Sequence, residues 1–166
     1  MQPISEQMTL DQTDFLILDQ LQKDSSLTNQ ELAERVFTSP PTCLRRVKRL
    51  KDAGLIERQI AILSTDKLAP LIGHGLTAIV EITLDRQDTQ NLEAFEKRVA
   101  ADPSVQQCYR VSPGPDFVLI VFATDMPAYL ALSQRLFSAD ANVRNVKAFF
   151  SVKRGKFEPR IEVASR

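Results

Sequence analysis

The sequence predicts an α+β protein with two domains, an N-terminal winged helix-turn-helix and a C-terminal ferredoxin-like βαββαβ domain. Three observations support this prediction. The first 63 residues contain three helical segments, and the third has a basic face. Residues 75–153 alternate between strand and helix patterns in the order β-α-β-β-α-β, which is the split βαβ unit. The length of 166 residues, 43% of them apolar, is sufficient for two small domains.

Capping signals locate the first two helices. Asp11 precedes a helical pattern that runs to Asp24, with Asp14 at the capping-box position. A shorter helix follows Thr28, which has Glu31 three residues later as its capping-box partner. The apolar faces of these helices comprise Phe15, Ile17, Leu18 and Leu21 in the first, and Leu32, Ala33 and Val36 in the second.

The third predicted helix, from Ser39 to about Ala53, has the most distinctive pattern in the chain. Ser39 can cap it, Pro40 suits the first helical position, and Gly54 closes it. At about 100° per residue, its apolar side chains share an arc of roughly 120°. That predicted buried arc contains Cys43, Leu44, Val47 and Leu50, and the opposite side contains Thr42, Arg45, Arg46 and Arg49.

Five positive charges and no negative one lie between Arg45 and Lys51. Such a run is often only a solvated surface, but here two short helices and a tight turn precede it. In a helix-turn-helix the second helix of the motif enters the major groove of DNA. The segment Leu55–Leu63 is long enough for two brief strands, which would form a wing with Arg58 near its tip and within reach of phosphate.

The second half of the chain begins with residues 64–74, which show little regularity and are interpreted as a linker. Two helices are then expected on one side of a four-stranded sheet. Covering the other side with a second copy predicts a homodimer. The predicted strands are Gly75–Leu84, Val105–Val111, Phe117–Ala123 and Val143–Val152, and the helices are Thr89–Ala101 and Pro127–Phe137; a basic tail occupies residues 154–166.

Composition excludes several classes of protein. The chain carries 21 basic and 21 acidic residues, so it is not a simple polybasic nucleic-acid binder. His74 is the only histidine, and the five glycines form neither a phosphate-binding nor a dinucleotide-binding motif. We therefore expect no catalytic residue, no cofactor and no metal site. Residues 1–10 show no targeting pattern, the segment 68–84 is too polar to span a membrane, and two distant cysteines favour the cytoplasm.

The motifs together resemble the Lrp/AsnC family of transcriptional regulators. The resemblance rests on residues 10–18 and 27–36, on Ser39-Pro-Pro-Thr-Cys-Leu-Arg-Arg-Val-Lys-Arg-Leu50, and on Ala53-Gly-Leu-Ile56. It continues through the strands to about Lys153 and implies sequence-specific binding of double-stranded DNA. The expected DNA-contacting residues are Ser39, Pro41, Thr42, Arg45, Arg46, Lys48, Arg49, Lys51 and Arg58.

The same resemblance implies an amino-acid effector, and dimers that often assemble into octamers. The expected effector-binding residues are Ser112, Gly114, Asp116, Phe117, Val146 and Ala148. Two departures from the family pattern affect this expectation. Pro113 replaces a glycine of the effector loop, and Val146 and Ala148 replace two threonines. Proline removes a backbone N–H donor, so an amino acid, a more apolar effector or no effector all remain open.

Two alternatives come from other functional classes. The chain could be a ligand-binding metabolic regulatory module that acts through protein–protein contacts, since fold alone does not determine function. The uninterrupted basic face argues against this, because a helix that docks on a protein normally carries apolar anchors. Thiol sensing through Cys43 and Cys108 is the second alternative, and inert packing of both cysteines is favoured.

Overall fold

The computed structural model describes residues 9–163 and divides the chain into two compact units. The N-terminal unit extends to Ile62 and also includes the C-terminal segment from Phe157, whereas the C-terminal unit comprises Leu63–Lys156. Residues 1–8, which carry most of the segment predicted to lack a targeting signal, lie outside the described part, as do residues 164–166 of the tail. Within residues 9–163, every helix is too short or too polar to cross a bilayer.

Three helices build the N-terminal unit: α1 (Gln12–Lys23), α2 (Asn29–Arg35) and α3 (Pro40–Asp52). Both predicted capping boxes are confirmed, since Asp11 accepts from the N–H of Asp14 at 3.0 Å and Thr28 from that of Glu31 at 3.2 Å. Ser39 precedes α3 but makes no capping bond, and its hydroxyl donates to the Thr42 hydroxyl at 2.8 Å. The buried core of this unit comprises Ile17, Leu32, Ala33, Val36, Cys43 and Leu50.

The predicted wing hairpin is not formed, because residues 55–63 contain no strand. Ile56 packs against the helical core, whereas Ile60, Ile62 and Leu63 are exposed. A two-stranded hairpin is at best marginally stable unless its apolar side packs on something else. Because Ile60, Ile62 and Leu63 are exposed, these side chains do not supply the packing that a hairpin would need.

The interpretation of residues 64–74 as an irregular linker is wrong, since Thr65–Ile72 forms a helix, α4. Ser64 caps it by accepting from the N–H of Lys67, and Gly73 ends it with φ +83°. Pro70 lies inside this helix. Proline normally breaks a helix, so the local sequence does not indicate this one.

The C-terminal unit is a four-stranded antiparallel sheet with helices on one face. The sheet order is β2-β3-β1-β4, which confirms the predicted βαββαβ topology. A π-helical turn, Gln134–Ser138, extends the second of the helices that cover the sheet. In chain order the elements are β1 (Leu76–Leu84), α5 (Thr89–Ala100), β2 (Val105–Arg110), β3 (Phe117–Ala123), α6 (Met126–Ser133) and β4 (Val143–Phe150).

The two faces of this sheet differ in burial. Alternate residues of β1, namely Ala78, Val80, Ile82 and Leu84, are fully buried beneath α5 and α6, as the period of two requires. On the other face, Ile79 is paired with Ile120 on one side and with Phe149 on the other. Ile79 and Phe149 are exposed and Ile120 is half-buried, so this face presents an apolar stripe across three strands.

The C-terminal segment packs against α1 of the N-terminal unit. The side-chain amide of Gln22 donates to the carbonyl of Ile161 at 3.1 Å and accepts from its N–H at 2.8 Å. Arg160 adds an ion pair with Asp19 at 3.1 Å. Residues 151–163 form no strand, so the backbone of Ile161 is paired by the side chain of Gln22 and not by another strand.

Candidate functional site

The buried face of α3 is narrower than the sequence predicts. Cys43 and Leu50 are fully buried and Val47 is half-buried, whereas Leu44 is 59% exposed. The prediction that Leu44 is buried is therefore wrong. On the helical projection Leu44 lies at the edge of the arc, about 60° beyond Val47, and it shares the exposed side of α3 with Arg45.

Asp14 of α1 is the one charged side chain of the described residues that is fully buried. Its carboxylate accepts from Arg46 Nη1 at 2.9 Å and from Arg49 Nη2 at 2.6 Å, so two of the three arginines of α3 hold it. A third bond comes from the backbone N–H of Asp11 at 3.1 Å. A buried carboxylate is tolerated when it is paired and hydrogen-bonded in this way.

Arg46 is bound more firmly than Arg49. Its Nη1 contacts both carboxylate oxygens of Asp11 at 2.8 Å in addition to Asp14, and its side chain is only 20% exposed. The hydrogen bond from Arg46 holds the pKa of the Asp11 carboxyl below its usual value, and the bonds to Asp11 and Asp14 raise the pKa of Arg46. This cluster fastens α3 to α1.

The expectation that Arg46 faces the groove is contradicted by these contacts, and Arg49 is partly committed to the same cluster. The reason is angular, because Arg46 lies only about 40° beyond the buried Leu50 on the helical projection. Asp14 was missed as a functional residue. A signal for it exists, since Asp14 lies on the apolar stripe of α1 at helical spacing from Ile17 and Leu21.

The other predicted DNA-contacting residues remain accessible. Arg45 and Lys48 project from α3, and among the described residues no carboxylate pairs with either. Thr42 is half-buried and bonded to Ser39. The exposed members of the predicted set are Ser39, Pro41, Arg45, Lys48, Arg49, Lys51 and Arg58.

The predicted effector loop is attached to the sheet through Asp116. The carboxylate of this residue accepts from the N–H of Leu84 at 2.7 Å and from the Gln87 side chain at 3.3 Å. Its own N–H donates to the Ile82 carbonyl at 2.8 Å. Ser112 and Gly114 are exposed at the tip of the loop. Asp116 therefore holds the loop against β1 through its Oδ2 atom, which accepts both of these bonds.

Phe117 and the two residues of β4 face the core. Phe117 is fully buried, and its ring lies 4.9 Å from that of Phe95. Val146 is paired with Ile82, and Ala148 with Val80. Because residues paired across a sheet share a face, both lie on the helix-covered side, where they pack on the core. In this chain these three predicted effector residues are core residues.

A polar depression of about 210 Å³ opens elsewhere in the C-terminal unit, between α4, the beginning of β1 and the segment after β4. The lone histidine, His74, contributes to its lining together with Lys153 and Ser151. None of the six predicted effector residues lines it. The depression is polar and open to solvent, unlike the largely apolar clefts that enclose small ligands.

Neither cysteine has the environment of a redox sensor. Cys43 is fully buried, and burial raises the pKa of its thiol. Cys108 is half-buried, and burial together with the charge of Glu96 raises its pKa as well. Because the thiolate is the reactive form, both environments favour inert packing over thiol sensing.

Comparison with protein families places both units in known groups. Residues 10–57 match the family model for winged helix-turn-helix DNA-binding domains. Residues 77–161 match the model of the Lrp/AsnC ligand binding domain, which accounts for more than half of the chain. The first range covers α1, α2 and α3, and the second covers the four-stranded sheet with α5 and α6 and continues into the C-terminal segment.

Individual relatives agree with this assignment. The leucine-responsive regulatory protein of Rhizobium meliloti is 36% identical over 154 residues, which cover 93% of this chain and 96% of the relative. Transcriptional regulator AzlB of Bacillus subtilis is 35% identical over 120 residues, covering 72% and 74% of the two chains. The structure of transcriptional regulator NMB0573 of Neisseria meningitidis, a complex with L-Met, superposes with a TM-score of 0.80 at 34% identity, covering 93% and 97%.

Proposed function

Because the chain belongs to the Lrp/AsnC family of transcriptional regulators, we propose that α3 enters the major groove of double-stranded DNA and reads its base sequence through Thr42 and Arg45. One observation carries this assignment. Arg45 is exposed on α3, whereas Asp14 holds Arg46 and Arg49 against α1. The guanidinium of Arg45 can approach N7 and O6 of a guanine, the commonest specific contact of arginine.

The remaining basic residues supply affinity rather than sequence preference. Lys48, Lys51 and Arg58 are exposed, and positively charged side chains on and beside a recognition helix neutralise phosphates. Ser39 and Pro41 lie at the beginning of α3, which enters the groove first. The exposed part of the Arg49 side chain can contact a phosphate. Arg46 holds α3 in position.

The test compares two single substitutions on a duplex that the wild-type chain selects from a random library. Arg45→Ala should lose about 1–3 kcal/mol of discrimination at one base pair. Lys51→Ala should weaken binding to all sequences alike and reduce the salt dependence by about one phosphate contact. Equal losses on selected and unrelated duplexes for both variants would contradict the assigned roles.

We propose that the chain acts as a homodimer joined through the open face of its sheet. The stripe formed by Ile79, Ile120 and Phe149 supports this, because monomers rarely leave such a face exposed. Ile79→Glu should yield a monomer in light scattering coupled to size exclusion, whereas Leu130→Glu, at an exposed residue of α6 on the helix-covered side of the sheet, should retain the dimer. A wild-type chain that elutes as a monomer at micromolar concentration would overturn the proposal, and an octamer would extend it.

An amino-acid effector is proposed for the C-terminal unit. The support comes from the Neisseria relative, whose structure contains L-Met. In this chain Ser112 and Gly114 are the accessible members of the predicted site, and Asp116 positions the loop that carries them. A thermal-shift screen of the twenty amino acids tests the proposal, because selective binding to the folded state raises the melting temperature. A wild-type chain that shows no shift with any of them would contradict it.

We further propose that the protein works without catalysis and in the cytoplasm, with residues 1–63 reading DNA, residues 75–153 sensing the effector and the tail 154–166 lying outside both tasks. The named relatives are transcriptional regulators, which supports the first point. The protein-docking alternative is less well supported, because the exposed side of α3 combines Arg45, Lys48 and Lys51 with a single apolar anchor, Leu44.

A further inference from the structure

The turn between α2 and α3 contains a residue in an unusual conformation. Phe37 has φ +55°, and it is the one non-glycine residue with positive φ among those that the structure describes. For a residue with a Cβ, this left-handed conformation costs about 1–2 kcal/mol. The ring of Phe37 is 91% exposed, so burial against the rest of the N-terminal unit does not offset that cost.

The same unit contains an internal control for this position. At the end of α3, Gly54 donates to the Lys51 carbonyl at 2.9 Å, and the following residue, Leu55, donates to that of Leu50 at 3.1 Å. At the end of α2, Phe37 donates to the Glu34 carbonyl at 3.3 Å, and Thr38 donates to that of Ala33 at 2.9 Å. Both ends are Schellman motifs, in which glycine normally occupies the left-handed position.

The two motifs have the same hydrogen bonds but different residues at the left-handed position. Gly54 has φ +72° at the far end of α3, where the chain leaves the recognition helix. Phe37 stands two residues before Ser39, directly ahead of the end of α3 that enters the groove. Glycine would adopt the backbone conformation of the α2–α3 turn at lower cost than phenylalanine. Since the phenyl ring does not stabilise the fold, we look for its role in binding.

We propose that Phe37 is a DNA-reading residue that packs against thymine methyl groups at the edge of the major groove. This inference relies on the docking of α3 proposed above. Recognition helices approach base edges with their N-terminal residues, which brings the preceding turn to the groove. Aromatic side chains contact the thymine C5-methyl group favourably, and the exposed charges of Arg45 and Lys48 on the adjacent helix favour a nucleic acid over an apolar protein partner.

The experiment combines Phe37→Gly with removal of the methyl group. Wild-type and variant chains are titrated against the selected duplex and against duplexes in which single thymines are replaced by uracil. One uracil should weaken wild-type binding about fourfold, the equivalent of one buried methyl group, and the same duplex should leave Phe37→Gly unchanged. Phe37→Tyr, which restores a ring, should recover the sensitivity to uracil.

Stability separates this role from a structural one. Phe37→Gly relieves the backbone, so its melting temperature should equal or exceed that of the wild type, by about 4 °C for each kcal/mol recovered. Weaker DNA binding in an equally stable or more stable protein is the expected combination. If the wild-type chain proves insensitive to uracil at every position, the proposal is wrong.

Arg45→Ala in the same titrations separates the role proposed for Phe37 from the proposed docking of α3. If Arg45→Ala loses base preference while Phe37→Gly binds like the wild type, the docking of α3 stands and the role of Phe37 is wrong. If neither variant changes binding, the docking itself is wrong. A variant Phe37→Gly that binds DNA normally but changes its molar mass in light scattering would assign the ring to a contact between copies and would also overturn the proposal.

Discussion

In the N-terminal unit Arg45 and Lys48 project from α3, whereas in the C-terminal unit Phe117 is buried and Asp116 is bonded to β1. Both pairs belong to predicted ligand-binding sets: the basic pattern of the helix indicated the first pair, and the resemblance to the Lrp/AsnC family implied the second. The difference arises from partners distant in sequence. A side chain is available to a ligand only when no other element of the fold has already satisfied it, and a single segment does not reveal those partners.

The largest expected effect concerns the buried carboxylate. Asp14→Ala removes the partner of Arg46 and Arg49 and should cost about 3 kcal/mol of unfolding free energy, since breaking a buried ion pair leaves uncompensated charge. Chemical denaturation measures this loss. Asp11→Asn is the matched control: it keeps a capping side chain in front of α1 and should cost less than Asp14→Ala, because exposed ion pairs contribute little.

Equal losses in these two variants would show that the cluster is an ordinary surface network. The comparison between the units would then weaken, because Arg46 would be as available to DNA as Arg45. A large loss confined to Asp14→Ala would instead confirm that α3 divides into a side for DNA and a side that is attached to α1.

A smaller effect is expected in the C-terminal unit. Asp116→Ala deprives the N–H of Leu84 of its acceptor and should destabilise this unit by about 1–2 kcal/mol, the cost of one unsatisfied buried donor. Asp116→Asn keeps an acceptor oxygen and should lose less. If Asp116→Ala left the melting transition unchanged but abolished a thermal shift with an amino acid, Asp116 would bind the effector directly, contrary to the structural role described here.

The smallest effect concerns the tail and depends on pH. The hydrogen bond from Lys23 holds the pKa of Asp19 below its usual 3.8. The charges of Lys23 and Arg160 lower this pKa further, whereas burial opposes the shift. A carboxyl with a lowered pKa stabilises the folded state fully above its usual value and loses that contribution as the pH falls through the lowered one. Attachment of the tail should therefore weaken below about pH 3.8.

Hydrogen exchange at the Ile161 N–H measures this attachment, because that group donates to Gln22. Asp19→Asn should reduce its protection about threefold at pH 7, in the range of a surface ion pair, and should remove the dependence on acid. Lys23→Gln, which leaves Arg160 in place, is the control. Identical protection in the wild type and Asp19→Asn would show that Gln22 alone holds the tail.

Local signals predicted much of the fold and less of the sites. The capping boxes at Asp11 and Thr28 depend on residues three positions apart, and the structure contains both. The helix that contains Pro70 and the absence of a wing hairpin were not predicted, because both depend on tertiary packing that a short sequence pattern does not contain. Likewise, Arg46 and Asp14 are 32 positions apart in the sequence, and their contact follows only from the packing of α1 against α3.

The central claim is that Arg45 contacts DNA and Arg46 holds α3 against α1. It is tested most directly by selecting DNA sequences with Arg45→Ala and Arg46→Ala and by measuring the melting temperature of each variant. Arg45→Ala should melt like the wild type and lose its preference at one base pair. Arg46→Ala should melt lower and, where folded, select the same sequence as the wild type. An Arg46→Ala variant that melts normally and changes base preference at a single position would contradict the account.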